Sequence, residues 1–152
     1  MTTYKRTTSS DPDFQRLIID LDKEFWVRYP DTQQDFAPFN YVDERARVIV
    51  AYDDATAIGC GCFRPMKEGD AIEIKRMYVI PFFRNRGVGK VILHTLEQWA
   101  GEQGFSISKL ETGINQPEAI AAYEKSGYTL IPNFEPYVNV KESICMMKQL
   151  NK

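Results

Sequence analysis

The chain has 152 residues, 43% of them hydrophobic and 26% charged, with 19 Lys and Arg against 21 Asp and Glu. That length supports one domain with a proper core and is too short for two, so residues 1–152 are expected to form a single domain. A net charge of −2 lacks the basic excess of a nucleic-acid binder. No apolar run approaches the roughly 18 residues that span a bilayer. Residues 1–10 are polar and lack the apolar segment of a signal peptide, so the expected location is cytoplasmic. The cysteines, Cys60, Cys62 and Cys145, are odd in number and read as structural thiols rather than a disulfide framework. Cys60 and Cys62 would share one face of a strand. With His94 the only histidine, no metal site is expected.

In chain order, residues 4–7 suit a short first strand. Asp11-Pro12 then reads as an N-cap with Pro at the first helical position. Phe14, Leu17, Ile18, Leu21 and Phe25 follow at helical spacing until Pro30 stops the pattern. Residues 30–45 are aromatic and polar without a period and read as a long loop. Three strand-like runs come next, at 47–52, 57–64 and 71–80, separated by turns at Asp53-Asp54 and at 67–70, as in an antiparallel meander. Val88, Ile92, Leu93, Leu96 and Trp99 mark an amphipathic helix ending near Gly104. A strand is predicted at 107–114, and a helix at 117–126 with Pro at its start and Gly127 just past its end. Two last strands are predicted at 128–131 and 143–149. Strands first, then alternating strand and helix, predict a mixed α/β sheet with helices on both faces.

Between the strand at 71–80 and the following helix lies Arg84-Asn85-Arg86-Gly87-Val88-Gly89-Lys90. A helix N-terminus offers free N–H groups and a partial positive charge. Glycines let the backbone approach an anion. Arg84, Arg86 and Lys90 add charge, so the segment suits a phosphate or pyrophosphate. It is neither a P-loop, which needs Gly-x-x-x-x-Gly-Lys-Ser/Thr, nor a dinucleotide fingerprint. A plain glycine-containing turn with solvated basic neighbours is the other reading of this loop alone.

Arg-x-x-Gly-x-Gly preceded by Met77-Tyr78-Val79-Ile80-Pro81 resembles the acetyl-CoA-binding motif of the GNAT superfamily of N-acetyltransferases. Asn115 through Tyr128, with Tyr123 and Gly127-Tyr128, is similar to that superfamily's later motif. The resemblance covers nearly the whole chain and is weakest over 30–45. It implies an α/β fold with a mixed, mostly antiparallel sheet of six or seven strands that splays between strands 4 and 5. It also implies acetyl-CoA as cosubstrate, its pyrophosphate on residues 84–90 and its pantetheine arm along Met77, Tyr78 and Val79, with Asn115 contacting CoA. The sequence carries its own hint of the splay. Ile72 and Ile74 alternate with Glu73 and Lys75, then Arg76 falls on the apolar phase and Met77 on the polar one. A β-bulge produces such a slip, and so does a strand end that becomes exposed.

Acetyl transfer to nitrogen needs a neutral amine, and deprotonating a lysine-like amine at pH 7 costs about 4–5 kcal/mol. A general base can take that proton. Glu73 is the first candidate, because histone-type members of the superfamily carry a catalytic glutamate there. Otherwise it is an exposed strand carboxylate pairing with Lys75 or Arg76. Glu111 is the second candidate, and some relatives use only water. Tyr123 matches the family's helix tyrosine, which implies a proton donor to the CoA sulfur; it could instead be a core aromatic. Asn115 could equally be a turn residue at a strand end. His94, inside a helix, reads as surface or packing.

The expected acceptor is a primary amine of a small molecule or peptide, walled by aromatic loops at 29–41 and 133–140. Acidic groups there suit a cationic amine. Arg28, Arg64 and Arg76 suit an acceptor that also bears a carboxylate, and the sequence leaves both open. Neither a nucleic acid nor a membrane is expected as partner, and a homodimer is compatible with everything above. The competing functions are a non-catalytic acyl-CoA sensor on the same fold and a nucleotide-binding regulatory domain. Glu73 and Tyr123 beside the glycine loop favour an enzyme.

Overall fold

The computed structural model describes residues 1–28, 44–67 and 69–150. The loop expected at 30–45 lies largely outside them. Strand β1 (Thr2–Thr8) leads to helix α1 (Pro12–Arg28), followed by β2 (Arg47–Asp53), β3 (Thr56–Pro65) and β4 (Ala71–Val79). A 3-10 turn (Pro81–Phe83) precedes α2 (Val88–Glu102), β5 (Ile107–Gly113), α3 (Pro117–Lys125), β6 (Thr129–Ile131) and β7 (Ser143–Gln149). The elements follow the periodicities that predicted them to within a residue or two at most ends.

Local chemistry explains the boundaries. The Asp11 carboxylate accepts the backbone N–H groups of Asp13 at 2.8 Å and Phe14 at 3.3 Å, satisfying two donors that the first turn of α1 leaves without partners. Pro12 follows at a position where its missing N–H costs nothing. Gly127 ends α3 with φ of 101°, a left-handed conformation that favours glycine.

The seven strands form one sheet in the order β1-β2-β3-β4-β5-β7-β6. All neighbours are antiparallel except β4 and β5, which run parallel. Helix α1 covers one face with Phe14, Leu17 and Leu21, packed on Val48, Val50, Cys60, Cys62 and Tyr78. The other face carries α2, whose Ile92, Leu93 and Leu96 pack on Ile49, Ile58, Phe63, Ile72 and Ile74. This second helix sits close to β3. A Cβ at Gly61 would collide with the Met77 sulfur and lie 3.0 Å from Ile92. Cys60 and Cys62 share the α1 face, as their spacing predicts, and burial pushes both thiols up, Cys62 to about 12.

The parallel pair is short. It runs from Ala71 opposite Ile107 to Ile74 opposite Leu110 and ends there, although β4 continues to Val79 and β5 to Gly113. The sheet therefore opens as a wedge between its fourth and fifth strands.

Candidate active site

The wedge begins beside an irregularity in β4. Cys60 pairs with Tyr78 and Cys62 with Lys75, so Arg76 and Met77 together face Gly61. This is a β-bulge, and Arg76 takes φ of 59° to make it. The phase slip read in the sequence is this bulge, not a fraying strand end. It turns Lys75 and Arg76, neighbours in sequence, toward the same face. Arg76 Nη2 donates to Asp22 Oδ1 at 2.7 Å and to the Ile18 carbonyl at 3.3 Å, both on α1. The buried thiols of Cys62 and Cys60 lie 3.4 Å and 3.5 Å from the Lys75 and Arg76 carbonyl oxygens, as donors to them.

A cleft of about 520 Å³ occupies the wedge. Arg84, Asn85, Gly89 and Lys90 line one end, and Met77, Tyr78 and Val79 line its middle. Glu73, Lys75, Glu111 and Tyr137 line the other end. Tyr123 of α3 also lines it and packs against the α2-side core, edge-on to Tyr128 at 5.9 Å between ring centres. Because residues from both faces of β4 contribute, the cleft passes through the sheet at the gap.

The polar end is buried and connected. Glu73 is 2% exposed. Its Oε2 accepts from the Tyr137 hydroxyl at 2.8 Å, its Oε1 from Arg64 Nη2 at 3.3 Å, and Lys75 Nζ lies 3.8 Å away. Lys75 also donates to the Tyr137 oxygen at 3.3 Å. Burial lowers the Lys75 pKa and raises that of Tyr137. Glu111 accepts from Ser143 Oγ at 2.7 Å. Its carboxyl is pushed up to about 7, chiefly by burial, with the Ser143 hydrogen bond and the Lys75 charge pulling the other way. The Tyr123 phenol is pushed up to about 12, by burial first and by the negative charge of Glu111 second.

Several expected site residues come together here and others do not. Glu73 is no exposed strand carboxylate, and its partners include Arg64 and Tyr137 from other strands and loops. Arg84 is engaged by protein, with Nε donating to the Val79 carbonyl at 2.7 Å and Nη2 to Glu24 at 2.6 Å. Arg86 lies over the rings of Phe82 and Phe83 rather than in the cleft. Val88 places its side chain in the α2 core. Gly87 is the N-cap of α2, with φ of 84° and no side-chain cap. A Cβ there would meet nothing within 4 Å, so its backbone dihedral, not crowding, calls for glycine. Asn115 is exposed and outside the cleft lining, whereas its neighbour Gln116 lines the cleft and accepts from Thr112 Oγ1 at 3.0 Å. Sequence reasoning missed Gln116, and it placed Tyr137 only in a loop wall. His94 is exposed.

Residues 12–128 match the family model described as the acetyltransferase (GNAT) family. The chain belongs to that family. It is 33% identical over 136 residues to an "IAA acetyltransferase" of Azospirillum brasilense, covering 89% of each chain. Among solved structures, a Klebsiella pneumoniae protein provisionally named an acyl-CoA N-acyltransferase superposes with a TM-score of 0.83 at 30% identity, covering 99% of both chains. The PaiA N-acetyltransferase of Thermoplasma acidophilum, solved with coenzyme A, shares the fold with a TM-score of 0.74 at 16% identity, over 97% of this chain and 99% of that one. The mixed sheet with its parallel β4–β5 pair is thus the GNAT fold.

Proposed function

We propose that this GNAT protein moves the acetyl group of acetyl-CoA to a primary amine of a small molecule or peptide. The observation that carries the reading is one continuous cleft joining the glycine turn to two acidic side chains and a tyrosine. The residues present fit acetyl-CoA. Asn85 and Gly87 both take positive φ, 65° and 84°, and lead into the N-terminus of α2, where the first N–H groups have no partner within the helix. Asn85, Gly89 and Lys90 line that end and would hold the pyrophosphate, while Arg84 beside them is tied to Val79 and Glu24. Past Ile74, β4 has no β5 partner, which leaves an extended backbone edge at Met77 to Val79 for a pantetheine arm. Once bound, acetyl-CoA supplies an acetyl group activated as a thioester.

The side chains divide the remaining work. Glu111, its carboxyl pushed up to about 7 chiefly by burial, is suited to take the amine proton. Glu73 is held by Arg64, Tyr137 and Lys75, so its lone pairs are largely engaged. The role first expected of Glu73 therefore passes to Glu111, and Glu73 anchors Lys75 and Tyr137 around the acceptor. Tyr123 keeps its proton at neutral pH and can donate it from Oη to the leaving sulfur. Aspects of charge and burial thus separate a proton acceptor from a proton donor across one cleft.

Calorimetry with acetyl-CoA, followed by thiol release with a panel of amines, tests this. The expected result is one-to-one binding and amine-dependent release. Binding without release for any amine would favour a non-catalytic sensor, and no binding at millimolar acetyl-CoA would end the CoA reading.

A further inference from the structure

Resting on the amine-acetyltransferase reading, we propose that the acceptor carries a carboxylate beside its amine, and that the Arg76 guanidinium binds it.

Arg76 is 7% exposed and lines the cleft. Its Nη2 is satisfied by Asp22 and Ile18, but its Nε and Nη1 are buried without a hydrogen-bond partner among the described residues. Only one other side chain there has such an atom, Arg64 through its Nε, and Arg64 is the cation on Glu73. A guanidinium stays charged at any physiological pH, so it cannot relieve its burial by losing a proton. Buried polar atoms are nearly always paired, and orphan donors on a charged group are costly. Two such donors on one cleft-lining side chain leave hydrogen-bonding capacity that acceptor atoms of a ligand can meet.

The backbone sets where this group lies. Arg76 has φ of 59°, a conformation that long side chains rarely adopt. Pinning α1 to β4 uses only Nη2. The bulge instead carries a full guanidinium onto the α1 face, next to Lys75 and three residues beyond Glu73, a span of roughly 10 Å along the strand. An amine near Glu73 and Glu111 and an anion at Arg76 therefore fit one small molecule or a peptide terminus.

The charge of that anion is set by its surroundings. Asp22 already pairs with Arg76 at 2.7 Å, and that negative charge beside the guanidinium repels a dianion more strongly than a monoanion. A carboxylate suits the site better than a phosphate.

The test is a matched panel of amino acids, each with its carboxamide, its decarboxylated amine and, as a further arm, phosphoethanolamine. The amine of a carboxamide loses its proton more readily than that of the free acid, so a preference for the acid does not come from amine basicity. For wild type, kcat/KM should favour the acids by roughly tenfold to a hundredfold over their carboxamides and amines. In Arg76→Lys and Arg76→Gln that ratio should fall toward one. Equal rates for wild type with and without the carboxylate would overturn the proposal while leaving the acetyltransferase reading intact. Preference for phosphoethanolamine would overturn it in favour of a phosphate. Transfer to no member of the panel would remove both. The wild-type ratio decides the matter even if neither variant folds.

Discussion

Strand β4 has two faces, both buried, and they are built from opposite materials. Toward α2 it presents Ile72 and Ile74, packed with Ile92, Leu93 and Leu96 in a core of hydrocarbon and aromatic groups. Toward α1 it presents Glu73, Lys75 and Arg76, none more than 8% exposed, before Tyr78 joins the apolar packing under α1. Burying charge is costly unless it is paired and hydrogen-bonded. The α1 face meets that condition for Glu73, through Arg64, Tyr137 and Lys75, and leaves two Arg76 donors unmet. One face therefore supplies stability, and the other keeps costly groups that stability alone does not require. The opening of the sheet beyond Ile74 exposes that second face to the cleft.

If the faces divide in this way, substitutions on the α1 side should change chemistry more than stability. The largest effect is expected for Glu111→Gln, with kcat lowered roughly a hundredfold to ten-thousandfold at neutral pH. Wild-type rate should rise with pH through about 7 and level off as Glu111 ionises. The variant should lose that ascent and recover partly at high pH, where the amine deprotonates unaided. If Glu73→Gln abolishes the ascent and Glu111→Gln does not, Glu73 is the base. Stability gives a second readout. The folded chain holds the Glu111 proton more tightly than the unfolded chain, whose carboxyl titrates near pH 4.3. Stability should thus fall as pH rises from about 4.3 through about 7, and Glu111→Gln should remove that slope.

On the α2 side the order should reverse. Leu96 is fully buried, so Leu96→Ala should cost about 2–5 kcal/mol in denaturant unfolding through lost burial and a residual cavity. Its pH–rate profile should keep the wild-type shape. A displaced profile would mean that the two faces are not separable.

Tyr123 tests the boundary, because it lines the cleft while packing on the α2-side core. Tyr123→Phe keeps the ring contact with Tyr128 and removes the donor. A fall in kcat of roughly tenfold to a thousandfold is expected, with acetyl-CoA affinity little changed. Lower stability with undiminished turnover would make it a core aromatic.

Much of this protein was legible in one dimension. Apolar periods of 3.6 and 2, the Asp11-Pro12 cap, and Gly127 past the end of α3 set where helices and strands begin and end, because those signals act over a few residues. The glycine turn and the slip at Arg76 and Met77 are local too, and they pointed to an anion site and to the bulge. Only the tertiary structure decided what surrounds each polar side chain. Alternation showed that Glu73 and Lys75 share a face, but it cannot tell a face turned to water from one buried beneath a helix and a distant loop. Tyr137 reaches Glu73 from 64 residues away. Glu111 acquires its raised pKa from burial in the wedge. Asn115 and Gln116 differ by one position at a strand end, and the direction of the chain there puts the second in the cleft. Pairing, burial and proton affinity depend on groups brought together across the sheet, and no local pattern encodes them.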